Sequence, residues 1–250
     1  MLKGFDKVTV EQRKCRLIAR VGGLEKGGKT HFALTAPAPI GLMDMDRGLE
    51  GVVEKFANDK TIYTKNLRGM PSRSQADYER RWETFKDSHY VLLDDKDIRT
   101  VVWDTDTEAW EMARLAFFGK LSQIKPHHYA EINREFRGLI DAAFDRDKNL
   151  ILICKYKKQY VAKDGSKSDD AQWNGKYEEA GMSDLPFVVQ VNLRARALRT
   201  ENGDGVVPSI EVVNCRQNMG ITGEVFEGDM ASFPWVAANI IEGTSPEDWE

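Results

Sequence analysis

The sequence predicts an α/β domain: a mostly parallel central sheet with helices on both faces and an antiparallel β-hairpin near the C-terminus. Three observations predict it. Short apolar runs alternate with helix-patterned segments through the first 155 residues, the rhythm of βαβ units. A glycine-rich segment, Gly23-Leu-Glu-Lys-Gly-Gly-Lys-Thr30, joins the first apolar run to the first helix. Two late apolar runs, 188–198 and 206–213, flank Glu201-Asn-Gly-Asp-Gly205, and Asn-Gly and Asp-Gly steps favour hairpin turns.

Taken in order, residues 16–22 are an apolar run ending in glycines, the profile of a buried strand. A helix starts at Lys29 and is stopped by Pro37 and Pro39. Residues 39–44 form a second strand, and 48–56 a helix with Leu49, Val52, Val53 and Phe56 on one face. A short strand at 61–64 precedes a charged helix over 75–90. Residues 98–104 are a strong strand ending in Asp104, followed by a helix over 107–118. The helix predicted over 129–144 carries Ile132, Phe136, Leu139, Ile140 and Phe144 at helical spacing. Residues 150–154 are the most apolar strand, after which 155–182 turn polar and lose periodicity.

No linker-like stretch divides the 250 residues. The expected organisation is one domain over 1–220 and an acidic tail over 221–250. From Gln217 onward there are seven acids and no Lys or Arg, so the rest of the chain holds 36 basic residues against 33 acidic ones. The pI of 5.7 therefore neither favours nor excludes a polyanionic partner for the body. No apolar run approaches the roughly 18 residues of a membrane span, and the N-terminus lacks the apolar core of a signal peptide. Cys15, Cys154 and Cys215 are odd in number and widely spaced, which suits a reducing cytoplasm better than a disulfide framework or a zinc site.

Residues 23–30 match G-x-x-x-x-G-K-[ST] between a strand and a helix. In such a loop, backbone N–H groups of Gly23, Leu24, Glu25, Lys26, Gly27 and Gly28 ring phosphates, continuing into Lys29, Thr30 and His31. Lys29 reaches the outer phosphates, and the Thr30 hydroxyl ligates Mg²⁺. The expected ligands are ATP and Mg²⁺. Asp104, at the end of a buried strand, is the expected metal-side acid. Asp106 either assists it or caps the following helix. Asp44 and Asp46 fall on one side of the second strand's end; Asp46, projecting further, either orients the attacking water or merely leads into a helix.

With these parts in order, the chain resembles the RecA-like recombinase and motor ATPases. It is most similar to the compact, phage-encoded RecA-like ATPases of single-strand annealing and recombination. The resemblance covers roughly residues 14–220. It implies a RecA-like P-loop fold and ATP hydrolysis. Asp46 stands where the recombinases usually carry a catalytic Glu, and Asp104-Thr105 resembles the Walker B strand end. Lys155, after the 150–154 strand, stands at the γ-phosphate sensor position. Arg216 stands at one of two C-terminal basic positions, the other being Asn214, and is the expected finger toward a neighbour's ATP. A homo-oligomer with ATP between subunits is implied, and a phage protein would work in the bacterial host cytoplasm.

Residues 155–176 hold Lys155, Lys157, Lys158, Lys163, Lys167 and Lys176 among Tyr156, Tyr160 and Trp173. Cations neutralise phosphates and aromatic faces accept bases, so the segment is expected to contact single-stranded DNA. Asp164, Asp169, Asp170, Glu178 and Glu179 dilute that charge, and a solvated loop is the alternative. Arg194, Arg196 and Arg199 line a channel, an interface or a solvated edge. His127-His128 with Glu131 are read as ordinary polar residues. The acidic tail is solvated or binds a basic protein partner. Competing functions are a nucleotide-gated binding protein, such as a helicase loader or partition-type ATPase, and a P-loop nucleotide kinase.

Overall fold

The computed structural model describes residues 15–121, 125, 128–161, 172–200, 202–203 and 205–250. Among them, nine strands join in one sheet. They are β1 (Ile18–Gly23), β2 (Ile40–Asp44), β3 (Ile62–Asn66), β4 (Thr100–Asp104), β5 (Asn149–Val161), β6 (Gln172–Glu179), β7 (Val191–Arg199), β8 (Val206–Cys215) and β9 (Val225–Glu227). The order is β3-β2-β4-β5-β1-β7-β8-β9, with β6 pairing the outer part of β5. The run from β3 to β7 is parallel, and β8, β9 and β6 are antiparallel additions. This is the expected α/β P-loop fold with its late hairpin extending one edge. β5 lies between β1, which leads into the glycine-rich loop, and β4, which ends in Asp104.

Alternation along the parallel strands feeds two cores, as a sheet covered on both faces requires. Val21, Leu42, Val102 and Ile153 pack on one face with Phe32 and Leu34 of α1 (Lys29–Leu34). On the other, Met43, Trp103 and Leu152 pack beneath α2 (Gln75–Asp94), α3 (Asp106–Phe118) and α4 (Tyr129–Asp145). A one-turn helix, α5 (Leu185–Val188), precedes β7. Among the described residues, no helix is long and apolar enough to cross a membrane.

Three segments differ from the sequence reading. Residues 48–56 form turns and a single 3-10 turn, Val53–Lys55, rather than a helix. Gly51, at φ 79, breaks helical geometry in mid-segment. Leu49 is nonetheless buried, and Val52, Val53 and Phe56 pack on the core. The polar stretch after Cys154 is the arm of a β-ribbon: β5 continues to Val161 and pairs with β6. Neither face of that ribbon is covered, so no apolar alternation betrays it. Lys163, Asp164, Lys167, Asp169 and Asp170 lie outside the described residues, as do His127, Glu201 and Asp204.

The acidic C-terminal segment is folded, not solvated. After β9 comes α6 (Phe233–Ile240), whose Phe233, Val236, Ala237 and Ile240 are buried against Phe32 and its neighbours. Their i, i+3, i+4, i+7 spacing is an apolar stripe that the acids obscure in a charge count. Trp249 is buried too, its Nε1 donating to Thr244 Oγ1 at 3.0 Å.

Candidate nucleotide site

Pairing across the sheet sets Asp44, Asp104, Ile153, Val21 and Leu193 in one row. Just beyond that row, at the C-terminal edge of the parallel strands, lie the phosphate loop, Asp46 and Lys155. A cavity of about 910 Å³ opens there, within the range of sites for cofactor-sized ligands.

The glycines of the loop answer to close approaches. A Cβ on Gly22 would run into the Tyr156 ring, and one on Gly23 would sit 2.6 Å from the Ala195 carbonyl oxygen. Gly28 has open space but φ 88, the left-handed turn that starts α1. Lys29 Nζ donates to the carbonyls of Gly23 (3.0 Å) and Leu24 (2.6 Å), spanning the mouth of the loop. Burial pushes its pKa below the ordinary lysine range, while Asp104 and Asp46 pull the other way. An ammonium held by carbonyls alone, in a ring of backbone N–H groups, suits a polyphosphate.

Thr30 Oγ1 donates to Asp104 Oδ2 at 2.9 Å. Asp104 is 2% exposed, and burial raises its pKa to about 6, the nearby Asp44 and Asp46 adding to the rise. A hydroxyl touching a buried carboxylate that resists ionisation is a donor set that fits a divalent cation. Thr30 and Asp104 are therefore the residues that would hold Mg²⁺. Among the described residues, no cluster of three or more His, Cys, Asp or Glu forms a metal site by itself, so substrate oxygens and water would complete such a shell.

Asp44 and Asp46 part company. Asp44 is buried and paired with Arg68 Nη2 at 2.9 Å. Asp46 lines the cavity and meets Lys155 Nζ at 2.9 Å. The same ammonium meets Glu108 Oε1 at 2.6 Å. Burial pulls the Lys155 pKa down, and the hydrogen bonds to Glu108 and Asp46 outweigh it and raise it. Lys155 thus lies at the expected edge, shared between two carboxylates. His31 lines the cavity, its ring edge-on to Phe56 at 4.9 Å.

One expectation needs revision. Asp106 neither assists the metal nor caps α3: Thr105 is the cap, its Oγ1 accepting from Glu108 N at 3.2 Å. Asp106 is wholly buried and accepts from Arg20 Nε at 2.6 Å. Arg216 follows β8 at the opposite edge of the sheet, where its Nη2 donates to the carbonyls of Phe187 (2.5 Å) and Val188 (3.4 Å). It takes no part in its own chain's nucleotide cavity.

Sequence reasoning missed Glu108 and Arg20, and it gave Tyr156 to the DNA segment without placing it in the nucleotide cavity. Arg20, 1% exposed in the middle of β1, also donates to Glu179 and to the Ala180 carbonyl at 2.8 Å. It therefore ties the strand leading into the phosphate loop to the base of β6. The signal was present: one arginine inside an apolar strand requires a buried acid somewhere. Glu108 carried no signal beyond its place in a first helical turn.

These features define a P-loop nucleoside triphosphatase site. A family model described as an AAA domain matches residues 19–208. The chain belongs to that family of P-loop ATPase domains. No curated protein matches the chain.

Proposed function

We propose that the chain is an ATP-hydrolysing RecA-like enzyme acting on single-stranded DNA in recombination or strand annealing. One observation carries the DNA part. Strand β5 runs from Lys155, in the nucleotide cavity, through a bulge between Lys158 and Tyr160, into an exposed ribbon bearing Tyr160, Trp173 and Tyr177. Lys157 and Lys158 stand among them, with Lys158 Nζ 5.0 Å from the Trp173 ring centre. Exposed rings and cations on a two-sided ribbon suit stacked bases and phosphates.

In the proposed reaction water attacks the γ-phosphorus in line and ADP leaves. Bound Mg²⁺ would neutralise charge on the β- and γ-phosphates. Lys29 exchanges its two carbonyl partners for phosphate oxygens, and Asp46 orients the water. Asp46 first has to be released by Lys155, and a γ-phosphate is the anion that competes for that ammonium. Movement of Lys155 shifts β5 and with it the ribbon. Arg216 is retained as a candidate for a neighbouring subunit's ATP, which requires an oligomer. The pairing of Asp46 with Lys155 equally favours a second reading, a nucleotide-gated binding protein with slow turnover.

Steady-state ATP hydrolysis with Mg²⁺, with and without a long single-stranded oligonucleotide, separates these readings. The proposal expects several-fold stimulation by DNA, with Lys29→Ala lowering turnover about 10²- to 10³-fold. Turnover indifferent to DNA, with no DNA retained at low salt, would leave only the ATPase.

A further inference from the structure

Adjoining the nucleotide cavity, and sharing with it the wall of residues 23–27 together with Tyr156 and Tyr177, lies a second cleft of about 640 Å³ that Asp104 does not line. The backbone of residues 23–27 forms one wall, Tyr156 and Tyr177 of the β5–β6 ribbon another, and Arg194 and Arg196 of β7 the third. Ala195, Ala197 and Leu198 complete the lining. From this arrangement we infer that the cleft seats one nucleotide of a bound single strand, its base against Tyr177 and its phosphate on Arg196 and Lys176. The inference rests on the DNA reading above and assigns it a place in the fold.

Three features support it. Tyr156 is a fixed wall: its ring lies against Gly22 and its hydroxyl accepts from Arg194 Nε at 3.2 Å. Tyr177 is 42% exposed and lines the cleft, with the Trp173 ring set at a steep angle to it, 5.9 Å between centres. The charge is surplus positive. Lys26, Lys176, Arg194 and Arg196 face Glu25 and Glu211, and Arg194 and Arg196 share the single Glu211 carboxylate at 3.2 and 2.9 Å. One carboxylate between two guanidiniums leaves a site for an incoming phosphate. A metal-bound triphosphate fits less well, because Glu211 is already engaged by both arginines. Aromatic faces beside spare cations are the chemistry of single-strand contact.

The position matters for coupling. Ala195 abuts Gly23 and Gly27, whose added Cβ atoms would lie 2.6 and 3.0 Å from its carbonyl oxygen. A nucleotide in the cleft therefore rests against the same backbone, residues 23–27, that lines the nucleotide cavity.

Fluorescence anisotropy of labelled oligo-thymidine, titrated over a range of salt, tests the inference. Tyr177→Ala is expected to weaken binding about 5- to 100-fold, the worth of one stacked base, and Tyr177→Phe to retain it. Arg196→Ala is expected to lower the slope of log affinity against log salt by about 0.7, one single-strand phosphate contact. Thermal melting of each variant controls for folding, and the exposed Arg196 keeps the test open should Tyr177→Ala misfold. Wild-type affinity in Tyr177→Ala and Arg196→Ala, with a loss in Trp173→Ala, would overturn the cleft and leave the DNA reading standing. An intact wild-type protein that retains no oligonucleotide at low salt would overturn both.

Discussion

The phosphate loop and the β5–β6 ribbon stand at the same edge of the sheet, are both rich in glycine or lysine, and are held in opposite ways. The loop is fixed by contact: Gly22 and Gly23 have no room for a side chain against Tyr156 and Ala195. Among the described residues the ribbon is held at its base, where Arg20 reaches from β1 to Glu179 and Ala180 and Tyr156 packs on Gly22, and its outer residues are exposed. The difference teaches where each function has to reside. A site that must meet a triphosphate in one geometry is built from packed backbone. A surface proposed to follow a single strand is built from exposed side chains on one anchored arm.

The anchor is the place to break that comparison. Arg20→Ala leaves Asp106 buried without its cation, a change worth about 3–5 kcal/mol, measurable as a drop in the urea midpoint. Replacing both partners, Arg20→Met with Asp106→Leu, is expected to recover most of that stability, because the desolvation cost then disappears. DNA binding should stay impaired in the double variant, since Glu179 still lacks its tie to β1.

A control lies on the sheet face away from both regions. His89 is fully buried: its Nε2 pairs with the Leu139 carbonyl at 2.8 Å, and its Nδ1 accepts from Trp103 Nε1 at 3.2 Å. That leaves no place for a second ring proton, and burial lowers its pKa from 6.5 to about 4. The unfolded chain binds the proton first, so stability is fully present above pH 6.5 and is lost as pH falls toward about 4. The loss is about 3 kcal/mol, read from urea midpoints at neutral and acidic pH, and His89→Gln should flatten it. An acid transition unchanged in His89→Gln would contradict that assignment, and Asp104 could not take its place: its raised pKa makes the folded state bind the proton first, which adds stability as pH falls.

The smallest effect sharpens the comparison at its junction. Glu108→Gln leaves Lys155 with Asp46 as its one acidic partner in the cavity and tightens that pair. The expected result is a kcat about fivefold lower, roughly 1 kcal/mol, with KM little changed. Glu108→Asp should restore it, and Glu108→Gln should have no further effect in a Lys155→Met background. Equal losses in both backgrounds would reduce Glu108 to a helix-capping acid.

The nucleotide half of the site was legible because its chemistry depends on local spacing. Gly23, Gly28, Lys29 and Thr30 are neighbours in the chain, and Asp104 ends a strand whose apolar run is unmistakable. The rest is tertiary. Asp44 and Asp46 differ by two positions, yet Arg68, 24 residues beyond Asp44, takes Asp44 and leaves Asp46 to the cavity and Lys155. Asp106 sits where a helix cap belongs, and its true partner is an arginine 86 residues away. The ribbon was hidden because exposed strands carry no hydrophobic period, and α6 because the acids on either side of it dominated the charge count over its four-residue apolar stripe.

The central claim is that Lys155 carries the state of the nucleotide along β5 to the ribbon. Its most direct measurement is the affinity for single-stranded oligo-thymidine with a non-hydrolysable ATP analogue and with ADP, for the wild type and Lys155→Met. The account predicts that the wild type binds at least about fivefold tighter in the triphosphate state, a coupling of about 1 kcal/mol or more, and that Lys155→Met binds both states alike. Equal affinities in the wild type, or an undiminished difference in Lys155→Met, would contradict it.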